Sequence, residues 1–365
     1  MAQLDSPEAP PVRPLAPARK IIETWLLKSN REHLSRKLRM SLADSCNLRC
    51  FFCHNEGQGF GRVGVSRMSI SDYREIVRSA VQAGVSEVKL TGGEPMLYRD
   101  GKHDIADLVA GLAELRKESH FGLSVITNGL LFPRYADRLK QAGLDRVTFS
   151  LHTLDQAMFR RLIQPTGRNS PDDVLKAIEL AIAKEMTPVK VNTVLFGTEE
   201  DGNIGEIGAI VEACRKLGVA QLRFYTLLGH ENFPDYQSWY RFWDQDLLAK
   251  LGSALYDSPE EREALVRDAA EFLDLATKVV YPKRTLVIGA DGIEVAIEAM
   301  EAGRFELSEI PDEGPYALRL SASGELRGVL STAAEAIDIT AAMAGGDRGA
   351  ALTEAFRRAQ EHLLP

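Results

Sequence analysis

KLRMSLADSCNLRCFFCHNEG, residues 37–57, turns from a strand into a cluster of thiols within a dozen positions. Arg39–Ala43 alternates like a half-buried strand, and Cys46, Cys50 and Cys53 follow at gaps of three residues and then two. Working outward, the same succession of strand, loop and helix repeats. Ser71–Ala83 carries Ile76, Val77, Ala80 and Val81 at helical spacing behind the capping residues Ser69 and Ser71. Strands are expected at 85–91, 121–127, 145–151, 188–195 and 219–225, with helices at 104–117, 133–143, 171–185 and 203–218 between them. Six strands separated by helices imply an α/β fold with a parallel sheet, a partial TIM-like barrel of six βα units.

In such barrels the loops after the strands carry the chemistry. The cysteines follow the first strand, TGGEP (91–95) the second, ITNG (126–129) the third and SLHT (150–153) the fourth. All the unusual loops therefore share one rim. Beyond Tyr225 the βα rhythm stops. Residues 1–35, with scattered prolines and charges, read as a flexible arm, 36–230 as the barrel, and 231–365 as a mainly helical extension closing its mouth. Within that extension YALRLSASGELRGVL (316–330) is strand-like about a Ser-Gly turn.

Composition removes several classes. Hydrophobic residues at 45% and charged residues at 26% are ordinary for a globular chain of 365 residues. A net charge of −8 leaves no general basic footprint for nucleic acid and no polybasic membrane patch. No apolar run is long enough to span a bilayer, and the first twenty residues lack the apolar core of a secretory signal. Three of the four cysteines sit in one cluster, which argues against a disulfide framework and for a reducing, cytoplasmic setting.

Clustered thiolates bind soft metals, zinc or iron–sulfur. Structural zinc closes a tetrahedron with four protein ligands, and a 4Fe–4S cluster usually takes four cysteines. Three leave one position open to bind something else. His54, next to Cys53, reads as a neighbour rather than a ligand. Cys214, on the helical face of Ile210 and Leu217, reads as core, and Trp239, Tyr240 and Trp243 as packing.

A CxxxCxxC motif at the end of a first barrel strand, with TGGEP after the second, resembles the radical S-adenosylmethionine (SAM) superfamily. The resemblance implies that Cys46, Cys50 and Cys53 hold one 4Fe–4S cluster whose open iron chelates SAM. It implies that Gly92, Gly93 and Glu94 seat the methionine end, and that Phe52 and Ser150 contact the nucleoside end. A reductant such as flavodoxin or ferredoxin would supply the electron that cleaves SAM to a 5′-deoxyadenosyl radical, which takes a hydrogen atom from substrate.

KLTGGEP, ITNGLL, AGLDRVTFSLHTLD, VKVNTVLFGTEEDGNIGEI, RFYTLL and GPYALRLSASGELRGVL, together with the opening stretch, look more closely like the GTP 3′,8-cyclases of molybdenum-cofactor synthesis. The likeness runs over most of residues 37–330. It implies that Arg39, Lys89, Lys190 and Arg319 bind substrate, and it puts Leu228 near the adenine of SAM. His152 stands where the cyclases more often have Asp, a candidate proton donor or acceptor. Departures are as telling. The three cysteines of the family's second cluster fall at Asp312, Pro315 and Val329, and no cysteine follows Cys214. Ile126 replaces a threonine, Ala317 an arginine and Leu228 a methionine, and the last residues given, EHLLP, lack the family's Gly-Gly.

The expected function is radical SAM chemistry on a nucleotide, a nucleoside, or a phosphorylated or nucleotide-linked sugar, ending in cyclisation, carbon–carbon bond formation or elimination. Specialised metabolism is favoured over molybdenum-cofactor synthesis. The alternatives are a peptide-modifying radical SAM enzyme and, in another class, a non-catalytic zinc or iron–sulfur regulator.

Overall fold

Six parallel strands form the centre of the sheet: β1 (Lys37–Ser41), β2 (Glu87–Thr91), β3 (Gly122–Thr127), β4 (Arg146–Ser150), β5 (Lys190–Leu195) and β6 (Gln221–Thr226). Each pairs with the next in chain order. The computed structural model describes residues 20–23, 37–50, 52–53, 68–165, 167–195, 202–226, 245–267, 283–290, 293–300, 317–327 and 336–361.

Helices α1 (Ile70–Gln82), α2 (Ile105–Ala113), α3 (Ala136–Gln141), α4 (Pro171–Ala183) and α5 (Ile207–Leu217) fill the connections, close to the expected bounds. Local chemistry starts and stops them. Ser69 with Asp72, Asp104 with Asp107, and Ser170 with Asp173 form reciprocal capping boxes. Gly218 ends α5 at φ 80°, a left-handed turn that costs glycine nothing.

Side chains alternate across each strand, and paired residues of neighbouring strands share a face. One face carries Leu38, Met40, Val88, Leu90, Leu123, Val125, Val147, Phe149, Val191, Leu222 and Phe224, all buried. Beneath it lie apolar residues of the helices, among them Ile76, Leu108, Ile178 and Ile210. Cys214 belongs to this core with no exposure, as expected. The other face carries Arg39, Lys89, Thr148, Lys190, Asn192 and Arg223. A closed barrel fills its interior with branched apolar side chains. Here that face is polar and strongly basic.

The C-terminal third does more than add helices. Alongside α6 (Gln245–Leu255) and helices over 259–267, 340–344 and 348–361, it supplies β7 (Lys283–Ala290), β8 (Ile293–Met300), β9 (Ala317–Leu320) and β10 (Glu325–Arg327). β8 adds in parallel to β6, and β9 in parallel to β1, so both edges of the six-stranded sheet are extended. The Ser-Gly turn joins β9 to β10, with Gly324 at φ 92°. One correction concerns the arm expected over 1–35: Lys20–Glu23 is a strand, paired antiparallel with β7. Its KIIE sequence offers two β-branched residues to that edge. Among the described residues, no helix is long and apolar enough to cross a membrane.

Candidate active site

The cysteine loop leaves the end of β1 and is held by backbone on both sides. On one side Thr91 accepts from Leu42 N–H, Ala43 accepts from Gly93 N–H and Ser45 accepts from Glu94 N–H, at 2.6–2.9 Å. A Cβ on Gly92 would stand 2.7 Å from the Ala43 carbonyl oxygen, and one on Gly93 would overlap the Ser45 carbonyl. The two glycines thus let the loop after β2 lie flat on the chain that leads into Cys46. On the other side Arg49 N–H donates to the Ile163 carbonyl at 3.1 Å, and Cys53 N–H closes a turn on the Cys50 carbonyl. Cys46 lies at an exposed position, yet desolvation of its sulfur, with the Glu94 carboxylate nearby, pushes the thiol up to about 12, and burial with the neighbouring Cys53 and Cys46 holds Cys50 well above the ordinary range. A metal must therefore displace protons to bind here.

Glu94 is 1% exposed, and both carboxylate oxygens are committed. Oε1 accepts from the Thr127 hydroxyl (2.7 Å) and Met96 N–H (3.1 Å), and Oε2 from Asn128 N–H (2.9 Å). Its observed work is to fasten the loop after β2 to the loop after β3. Asn128, in the ITNG turn, was not among the residues singled out by sequence. Its side-chain amide donates to Asn47 Oδ1 at 2.8 Å and reaches Cys46 Sγ at 3.8 Å.

His152 is held neutral, its ring pushed down to about 3 by burial. Its Nδ1 accepts from Val194 N–H at 3.0 Å, which leaves the proton on Nε2, and the ring stands edge-on to Phe52 at 4.6 Å. The fully buried Asn203 donates to both the His152 and Val194 carbonyls, at 2.6 and 2.7 Å. Phe52, between two cysteines, is thus braced by the loop after β4. Ser150 ends β4 half-buried, beside Asn192 of β5.

The basic residues lie on the same polar face. Arg319, Arg39 and Lys89 are register partners on β9, β1 and β2, and Arg327 of β10 extends the row. Arg39 and Arg319 are buried, at 8% and 6%. Lys190 of β5 is pushed down to about 8, first by burial and then by Arg223, Lys89, Lys37 and Arg146. Two of those charges belong to β1 and β2, which do not adjoin β5, so the sheet curves its basic face inward. Arg223 and Arg327, like Lys37 and Arg146, are basic residues that sequence reasoning missed, because none has a local signature. Leu228, His54, the Trp239–Tyr240–Trp243 group, Asp312, Pro315 and Val329 fall outside the described residues.

The donor set fits an iron–sulfur cluster. Cys46, Cys50 and Cys53 are three soft sulfur donors from one loop, the ligand type that holds the irons of a 4Fe–4S cluster. Residues 40–209 match the profile of the Radical SAM superfamily. This stretch is a radical SAM domain.

Curated relatives of the chain are similar over stretches of comparable length. Over 160 residues the chain is 42% identical to a probable GTP 3′,8-cyclase of Methanopyrus kandleri, covering 44% of this chain and 48% of that one. Over 185 residues it is 37% identical to a probable GTP 3′,8-cyclase of Methanococcus maripaludis, covering 50% and 56%. The chain spans about half the length of these relatives. Among solved structures, Streptococcus suis SuiB bound to S-adenosylmethionine superposes with a TM-score of 0.56, over 84% of this chain and 63% of SuiB. At 16% identity, that likeness shows a shared fold.

Proposed function

We propose that the chain is a radical SAM enzyme acting on a nucleotide, a nucleoside, or a phosphorylated or nucleotide-linked sugar, outside molybdenum-cofactor synthesis. One observation carries the substrate class. Basic side chains from β1, β2, β5, β6 and β9 share the inward face of the sheet, below the loop that bears the cysteines. So many cations gathered on one face give it a positive potential that favours an anionic substrate. Arg39 and Arg319 offer planar forks suited to phosphate oxygens, and Lys190 regains a full charge when an anion arrives.

Cys46, Cys50 and Cys53 would hold the 4Fe–4S cluster. When bound, cluster and SAM together supply one-electron cleavage of a sulfonium and hydrogen-atom abstraction. The chain's own residues shape the setting. The Gly92–Gly93 loop packs on the segment entering Cys46, and Glu94 locks it to Thr127 and Asn128. His152 and Asn203 brace Phe52, and β8 and β9 extend the sheet at its two edges. The relatives named as cyclases support a nucleotide. Against GTP cyclisation stand Asp312, Pro315 and Val329, at the positions where the likeness to the cyclases places the cysteines of a second cluster.

The test is anaerobic reconstitution with iron and sulfide, then SAM and dithionite, with 5′-deoxyadenosine read by mass spectrometry beside Cys50→Ala. A panel of nucleotides, nucleosides, sugar phosphates and nucleotide sugars is added in turn. The proposal expects product from the wild type alone, raised by an anionic nucleotide-class compound. No product from a fully loaded wild type sinks the enzyme, and stimulation by GTP with formation of the cyclised pterin precursor sinks its exclusion from molybdenum-cofactor synthesis.

A further inference from the structure

Asn128 carries two separable tasks on one side chain. Its Oδ1 accepts from Leu130 N–H at 3.1 Å, which makes the turn after β3. With the oxygen so engaged, the orientation of the amide is settled, and Nδ2 is the end that faces the cysteine loop. That nitrogen donates to Asn47 Oδ1 at 2.8 Å and reaches Cys46 Sγ at 3.8 Å. Leu48 N–H aims at the same sulfur from 3.4 Å. Cys50 Sγ meets the opposite environment: its neighbour is a carbonyl oxygen, that of Ile163, at 4.0 Å. The turn needs only the oxygen of Asn128, so the aim of the nitrogen at sulfur is an additional property.

Hydrogen bonds to ligating sulfurs draw charge off the thiolate and stabilise the reduced, more negative cluster. We infer that Asn128 is a positioning residue for the cluster, its side-chain amide raising the potential at which the cluster accepts its electron through the Cys46 sulfur. The inference rests on the reading of Cys46 as a cluster ligand. Anchoring by Glu94 through the Asn128 backbone makes the amide rigid, so the donor needs no reorganisation when charge arrives.

The decisive variant is Asn128→Ser, because a serine hydroxyl still accepts in a turn of this kind but is too short to reach the sulfur. The readout is EPR-monitored potentiometry of reconstituted protein without SAM. At the potential where half of the wild-type cluster is reduced, the ratio of reduced to oxidised cluster is expected to fall about three- to tenfold, the equivalent of one hydrogen bond. Asn47→Ala, which frees Nδ2 from its competing acceptor, is expected to shift the ratio less and in the opposite direction. Full iron and sulfide content with an unchanged ratio overturns the inference. Should Asn128→Ser fail to load, an unchanged ratio in Asn47→Ala overturns it alone. A wild type that holds no cluster at all overturns instead the reading on which it rests.

Discussion

Thr127, the last residue of β3, donates its hydroxyl to the Glu94 carboxylate at 2.7 Å, joining two rim loops beside the segment that enters Cys46. Burial pushes that carboxyl up to about 7, even though Asn128 N–H, the Thr127 hydroxyl and Met96 N–H all favour its charge. A carboxyl raised in the folded state contributes most below its unfolded value and loses that contribution as pH rises through the folded one. The loss therefore falls between about pH 4.5 and 7, and amounts to about 3 kcal/mol at most. Glu94→Gln removes the titration. Denaturant unfolding of both proteins at pH 5, 6, 7 and 8 is expected to show the wild type losing ground to the variant over that range. Parallel curves would refute the assignment.

Gly93→Ala is expected to cost about 1–3 kcal/mol, because its Cβ would enter the Ser45 carbonyl and the loop before Cys46 must yield. Iron bound per chain after reconstitution should drop with it. Gly84→Ala, whose Cβ would meet nothing within 4 Å but whose φ of 99° strains an alanine, carries backbone strain without a clash, whereas Gly93 carries the clash without such a φ. Equal iron content in both variants would remove the packing role.

A buried arginine that exists for stability and one that exists for an anion respond oppositely to neutralisation. Arg39 stands between Arg319 and Lys89 at strand register. Arg39→Gln is expected to weaken GTP or tripolyphosphate binding by at least tenfold, the worth of a charge-assisted hydrogen bond, while the thermal midpoint does not fall. Calorimetric titration and thermal melts check both halves. A lower midpoint with intact binding would make Arg39 structural.

Lys190, pushed down to about 8 by burial and by Arg223, Lys89, Lys37 and Arg146, is partly neutral in mildly alkaline buffer. A lowered lysine regains its proton when an anion offsets those charges, so binding takes up protons near and above pH 8 and not at pH 6.5. Calorimetry in two buffers of different ionisation enthalpy measures the uptake directly. Affinity should fall as pH rises through 8, and Lys190→Met should abolish both effects. Uptake that survives the substitution would place the titrating group elsewhere.

Asn203→Ala leaves the His152 and Val194 carbonyls without their shared donor and is expected to cost about 1–3 kcal/mol. The motion of Phe52 against His152 reports on it, and fluorine labelling of Phe52 should show a broadened resonance. A sharp, unchanged signal would mean the brace does not depend on Asn203.

How much of this is legible in the residues depends on how local each signal is. PVKVNTVL announces β5 by its period of two, and buried Val191, Thr193 and Leu195 alternate with half-buried Lys190, Asn192 and Val194 accordingly. The cysteine spacing and TGGEP likewise point to their loops without any partner being known. Asn128 is hidden because ITNG also reads as an ordinary turn, and its reach to Cys46 spans two separate βα units. Arg223 and Arg327 are hidden because register with distant strands, not neighbouring sequence, puts them on the basic face. For β7 and β8, the Asp291–Gly292 pair between β-branched runs is a hairpin signal that goes unused beside the helical character of the preceding region.

The pairing of β9 with β1 joins opposite ends of the chain in one row of arginines. During synthesis, the cysteines leave the ribosome long before Arg319 has been translated. The cysteines and the complete row of arginines are thus separated in time on the nascent chain. A chain arrested before β9 lacks Arg319 even where its thiols are already in place.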